Sequence, residues 1–308
     1  MMPNIMIRSL CCILLLAAPA RPALGQEKSV NPLTVARNVS LVTVEIGDVV
    51  IPNILIDTGF AFDGLMVYNP AYKDSLDLTD GFEAKIPGAG SGEPATAVVV
   101  DSVTYSLGDQ TMVDQRLIVL TSDTYKGFPS NGLIGYSIFG HYITEFDYDK
   151  KTLVLHHADR IEPGDGWTEI PLYFKDNMVP WLDASVVIED EDPILLSMYI
   201  DFASGDAIEL LERPGMKFRL PAETEDVHLG RGLSGDIYGK KGRIAKLIIG
   251  PHELTDVEAA FADAGVRSKQ DDADAVLGSG ALQRFNLIFD YSGKKLYIRP
   301  NSRFHDSF

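Results

Sequence analysis

Short alternating runs of apolar and polar residues dominate the chain, and they predict strands almost throughout. "LVTVEIGDVVIPNILID" (41–57) reads as two strands with a turn at Gly47-Asp48, and "WLDASVVIEDEDPILLSMYID" (181–201) as two more with an acidic turn from Glu189 to Pro193. "GLIGYSIFGHYITEFDYDKKTLVLH" (132–156) predicts an apolar stretch ending in glycine, a helical turn, then a hairpin. "AVLGSGALQRFNLIFDYSGKKLYIR" (275–299) predicts the same. "TDVEAAFADAG" (255–265) has helix formers and a capping-box pattern from Thr255 to Glu258.

These segments belong to one long internal repeat. A shift of 143 places Gly135 on Gly278, Phe146-Asp147-Tyr148 on Phe289-Asp290-Tyr291, and Leu153 on Leu296. Upstream, "GAGSG" (88–92) corresponds to "GRGLSG" (230–235), and Gly108 to Gly250. Further back, Asp57 falls on Asp201. The repeat sets 255–265 opposite "VDQRLIVL", so this segment is expected to be a strand despite its composition.

Composition narrows the setting. A chain of 308 residues, 45% hydrophobic and 9% aromatic, can bury a full core. Residues 1–25 are expected to be a secretory signal peptide: Arg8 precedes the apolar run "LCCILLLAAPA", and small residues Ala23 and Gly25 follow. Export then leaves a mature chain with no cysteine, since Cys11 and Cys12 lie in the leader, and excludes disulfide and thiol chemistry. The net charge of −17 becomes two units more negative without Arg8 and Arg21. Such a surface repels phosphate backbones, so nucleic acid is not expected as a partner. After leader removal, no integral membrane span is expected either.

The chemistry centres on the aspartates. Ile54-Leu55-Ile56 runs into Asp57-Thr58-Gly59, and Tyr199-Ile200 into Asp201. Two aspartates held close together share one proton; the ionised member takes a proton from a trapped water while the protonated one polarises a carbonyl. Other readings fit less well. "GRGLSG" matches a dinucleotide-binding pattern with no helix signal after it. His156-His157 has no third ligand at zinc spacing. "EDEDP" and "DDADA" lack an EF-hand loop's ligand spacing and read as solvated acidic turns. No G-x-S-x-G serine is present.

The residues Ile54 to Gly59 and Leu133-Ile134-Gly135, with Ile200-Asp201 and Val276-Leu277-Gly278, make the chain resemble the aspartic proteases, in their bilobal pepsin-like arrangement. The likeness covers about residues 38–300 and is greatest to exported bacterial members. It implies a mainly β fold of two similar retropepsin-like β-barrel lobes, 26–160 and 161–308, with a cleft between them. It also implies an exported, periplasmic or secreted endopeptidase that acts on peptide or protein substrates as a monomer, with no cofactor and no metal. Asp57 and Asp201 would be catalytic. Thr58, Gly59, Phe202, Ala203 and Ser204 would form the supporting loops, and Gly88, Gly90, Gly92, Gly230 and Gly232 the flaps. The second motif departs from the family: Phe202 stands where a hydroxyl residue is expected and Ala203 where glycine is. An alternative register sets Ala203-Ser204-Gly205 on the motif, leaving no second aspartate. The rival function is an inactive pseudo-protease kept as a peptide-binding or scaffolding module; a third is a dimer joining two Asp57 loops. Phe60 has no hydroxyl to offer Asp57 while Ser204 has one for Asp201, so Asp57 is expected to be the more readily protonated.

Overall fold

The computed structural model describes residues 28–90, 92–121, 130–175, 178–266 and 272–308. The expected leader and both cysteines lie outside them. The first half contains β1 (Lys28–Pro32), β2 (Thr34–Ala36), β3 (Val39–Ile46), β4 (Val49–Ile56), β5 (Gly64–Val67), β6 (Phe82–Ile86), β7 (Ala95–Leu107), β8 (Gln110–Leu120), β9 (Gly132–Ile134), β10 (Ile143–Asp147) and β11 (Thr152–His156). The second contains β12 (Thr168–Pro171), β13 (Tyr173–Phe174), β14 (Pro180–Val187), β15 (Ile194–Asp201), β16 (Ile208–Glu212), β17 (Thr224–Gly232), β18 (Gly235–Ile249), β19 (His252–Asp263), β20 (Ala275–Gly278), β21 (Phe285–Asp290) and β22 (Lys295–Pro300). Two one-turn helices, α1 (Tyr136–Phe139) and α2 (Ser279–Leu282), follow β9 and β20. The fold is mainly β.

The repeat is realised strand for strand. One eight-stranded sheet runs β2-β3-β4-β9-β5-β8-β7-β6 and the other β13-β14-β15-β20-β16-β19-β18-β17, with extra pairings β3–β7 and β14–β18 at the same place in each. Register repeats too. Ile54, Leu55 and Ile56 lie beside Gly132, Leu133 and Ile134, as Met198, Tyr199 and Ile200 lie beside Ala275, Val276 and Leu277. Of the strand expected over 255–265, residues up to Asp263 lie in β19, because a sheet position between β16 and β18 outweighs helix propensity, and a 3-10 turn follows.

One expectation needs correction. Among the described residues the sheets curl into partial rings and do not close into barrels, since each ends on edge strands that are not paired with one another. Two strands precede residue 38. Strand β1 pairs with β11, and β2 makes a hairpin with β3 through Arg37-Asn38, both at positive φ (49° and 58°) as a tight I′ turn requires.

A six-stranded sheet, β1-β11-β10-β21-β22-β12, joins the halves through the antiparallel pair β10–β21, with Phe146 opposite Leu287 and Thr144 opposite Phe289. Its middle strands carry the two "FDY" copies. Phe146 and Phe289 meet at 6.1 Å and pack with Phe139 in a buried cluster that runs through both halves.

The acidic segment before β20 departs from the solvated turn expected of it. Asp274 is buried: its carboxylate accepts bonds from Arg213 (2.7 Å), Lys217 (2.5 Å) and the Ser197 N–H (3.0 Å). Its N–H donates to Ser197 O and its carbonyl accepts from Leu211, as Asn131 does with Asn53 and Tyr68 in the first half. Burial pushes the Asp274 carboxyl up, but the bonds from Lys217, Ser197 and Arg213 outweigh it and hold it below its ordinary value. A carboxylate lowered in the folded state contributes stability above its unfolded pKa of about 3.9 and loses it as pH falls through the folded value. Asp274→Asn should therefore cost roughly 2 kcal/mol at pH 7, less than a fully enclosed pair because both cations are partly exposed. The deficit should shrink below about pH 4. Urea unfolding at pH 7 and pH 3 checks this; an equal deficit at both values would show that the charge plays no part.

Candidate active site

Asp57 follows β4 directly and Asp201 ends β15. Each strand lies parallel to the apolar-Gly strand of its own half, β9 or β20. The register decides between the two alignments of the second motif: Asp201 occupies the place of Asp57, and Ala203 does not. The loop after the second aspartate is one residue shorter than its counterpart. The shift is 144 at the aspartates but 143 where Leu65 opposite Ile134 corresponds to Ile208 opposite Leu277.

The two carboxylates converge on one point. A Cβ placed on Gly59 would stand 3.0 Å from Asp57 Oδ1 and 3.7 Å from Asp201 Oδ1. Both aspartates are half-buried. Gly59 N–H donates to Asp57 Oδ1 at 2.7 Å, while Ala203 and Ser204 N–H donate to Asp201 Oδ1 at 3.0 and 3.2 Å. Ala203 thus supplies the N–H that a motif glycine would, and Ser204 acts on Asp201 through its backbone. Glycines behind the loops are required by close approach. A Cβ on Gly135 would lie 2.5 Å from Asp57 O and 2.3 Å from Phe60 O, and one on Gly278 would lie 2.1 Å from Asp206 O.

The loops are bound across the halves. The buried Thr58 hydroxyl donates to Ile200 O at 2.7 Å and accepts from Phe202 N–H at 3.1 Å. Phe202 has no hydroxyl to return the bond. Its ring is fully buried and meets Phe146 at 5.0 Å, Phe289 at 5.4 Å and Phe139 at 6.3 Å. Burying a phenyl side chain contributes about 1.5–3 kcal/mol and each aromatic pair about 0.5–1.5, against about 1 for a net hydrogen bond. The substitution therefore strengthens the core while halving the cross-loop bonding. Further contacts cross over. Asn38 Nδ2 donates to Gly205 O at 3.2 Å, and Ala61 packs against the second-half cluster around Trp181 and Tyr199.

The glycine-rich segments are two hairpin tips, one between β6 and β7 and one between β17 and β18, and they meet. Ser234 N–H donates to Ala89 O at 2.9 Å, Gly88 N–H donates to Ser234 Oγ at 3.1 Å, and Gly92 N–H donates to Ser234 O. Gly90 N–H reaches Val266 O at 3.2 Å. The composition has a steric cause: a Cβ on Gly232 would lie 2.2 Å from Ala89 O, one on Gly92 2.6 Å from Ser234 O, and one on Gly90 2.7 Å from Gly235 N and O. Gly230 is different. It sits at a β-bulge, with nothing near its would-be Cβ, and takes no part in the interlock. Ile86 and Leu233 from the hairpins and Phe60, Phe62 and Ala203 from the loops pack on one buried cluster, which puts the tips on the aspartate side.

Arg231 pairs across its hairpin with Asp236 (2.8 and 3.1 Å), which His228 also touches at 3.2 Å. The hydrogen bonds from Arg231 and then His228 hold the Asp236 carboxyl below its ordinary value. His156 is part-buried and bonded to Glu145 at 2.8 Å. Sequence reading missed Ser234, whose signal was only its place in a glycine-rich tip, and Ser279, which opens α2.

Gly232→Ala should force the tips apart with little effect on global stability. Amide exchange at Gly88, Gly92 and Ser234 should rise by about tenfold or more while core amides keep their protection. Unchanged exchange at all three would mean that the interlock does not hold the tips.

No protein-family model and no curated protein matches this chain, and the geometry of the paired loops is therefore what bears on function.

Proposed function

We propose that the chain is an aspartic-type endopeptidase of the pepsin-like bilobal kind, its halves being two retropepsin-like lobes of residues 26–160 and 161–308. It hydrolyses peptide bonds with a water held between Asp57 and Asp201. One observation carries this reading: two aspartates at equivalent ends of repeated strands reach a common point, their loops tied together by Thr58. The ionised aspartate takes a proton from the water as its oxygen attacks the scissile carbonyl carbon. The protonated one donates a hydrogen bond to the carbonyl oxygen, and the tetrahedral species collapses as the amine leaves with a proton. Two N–H donors, from Ala203 and Ser204, favour the charged form of Asp201, within a dyad that holds its proton and titrates as a pair.

The hairpin tips form a two-part lid over an extended peptide and exclude water around the dyad. Residues 1–25 direct export to the periplasm or beyond. The chain acts as a monomer, because both aspartates come from one polypeptide, and attack by the activated water calls on no cofactor.

A second reading has its own observation. Phe202 serves the aromatic core, so the second loop fits a scaffold that binds peptides without cutting them.

Incubating the mature chain with a mixed peptide library between pH 3 and 8, with mass-spectrometric readout, separates the readings. The parent should cut at acid to neutral pH, and Asp57→Asn and Asp201→Asn should each lose at least about a thousandfold in kcat/KM. Loss in Asp57→Asn alone would point to a dimer of Asp57 loops, and peptide binding without any cleavage would support the scaffold. The parent's rate should follow a bell-shaped pH dependence, whose two limbs belong to the dyad together.

A further inference from the structure

The Asp201 loop lacks the hydroxyl that would tie it across to the first half, yet it is held at each peptide. Phe202 N–H is fixed by Thr58 at 3.1 Å. Phe202 O accepts the Ser279 hydroxyl at 2.7 Å, and Ser204 O accepts Ser279 N–H at 2.8 Å. Ser279 opens α2, immediately after Gly278, and is fully buried. Its counterpart in the repeat is Tyr136. Tyr136 N–H reaches Phe60 O at 3.2 Å in the same way, but its ring turns aside to pack against Gly140 and His141.

The Phe202 carbonyl and the Ala203 N–H belong to one rigid peptide plane. Its oxygen end is held by Ser279, and its N–H end points at Asp201 Oδ1 at 3.0 Å. Holding one end aims the other. In the first half, the matching plane carries the Gly59 N–H to Asp57 and is steadied by the cross-bonded Thr58.

From this we infer that Ser279 is a positioning residue for Asp201: its hydroxyl replaces, from within the second half, the brace that Phe202 cannot provide. The proposal rests on the reading of Asp57 and Asp201 as a catalytic pair. Without the Ser279 hydroxyl the Phe202–Ala203 plane can tilt, the Ala203 N–H bond to the carboxylate weakens, and the charged form of Asp201 is less favoured. The acid limb of the pH–rate profile then moves upward.

The test compares Ser279→Ala with Ser137→Ala. Ser137 is a buried hydroxyl on α1 whose bonds run to Tyr105 (2.9 Å) and Gly64 O (3.1 Å). Ser279→Ala should lower kcat by about tenfold, leave KM within about twofold, and move the acid limb up by about half a pH unit. Ser137→Ala should lower the melting temperature by a similar amount while leaving kcat and the limb in place. Equal kcat losses in both variants, or a Ser279→Ala enzyme altered only in melting temperature, would overturn the positioning role and leave the catalytic pair standing. A parallel titration uses a pseudopeptide carrying a hydroxyl on a tetrahedral carbon in place of the scissile carbonyl. Its binding to the parent should depend on pH through the same limb, shifted in Ser279→Ala. A parent that neither cleaves peptides nor binds this probe would overturn the catalytic pair, and the role of Ser279 with it.

Discussion

The Thr58 hydroxyl, lying between Ile200 O and Phe202 N–H, is the contact on which the geometry of the two halves depends. It is buried, so solvent does not compete for its partners, and losing it would leave buried backbone groups unsatisfied. It fixes how the end of β15 lies against the loop after β4, and with that where Asp57 and Asp201 point. The core alone could not specify this, because apolar packing is tolerant of small displacements and hydrogen-bond geometry is not.

Around that contact, the equivalent positions of the repeat have diverged in ways that offset one another. Phe202 has no hydroxyl for a cross-loop hydrogen bond and packs with Phe139, Phe146 and Phe289 beneath the joining sheet. Ser279 then holds the loop from behind, where Tyr136 does so through its backbone only. The hairpin tips are unequal as well: Ser234 makes the polar contacts of one, while the other presents glycine and alanine backbone. The common topology survives, and the differences collect where the halves touch.

Much of the architecture was legible along the chain because repeats and strand periodicity are local signals. The "FDY" copies, the glycines at 135 and 278 and the strand over 255–265 all followed from register. The start of the fold was not legible, since β1 is a five-residue strand whose identity comes from pairing with β11, over a hundred residues away. Asp274 read as a solvated turn because nothing nearby in sequence reveals Arg213 and Lys217. The sheets' failure to close was equally hidden, as closure depends on which edge strands find partners.

By itself the sequence determined a mainly β chain built twice, with one aspartate at the same strand end in each copy. Only the tertiary structure decided that Asp201 and not Ala203 faces Asp57, that the two glycine-rich tips interlock, and that a serine behind the second loop aims its N–H. Each of these turns on a separation of a few ångströms between residues 70 to 150 positions apart. Local propensity carries no information about contacts at that range.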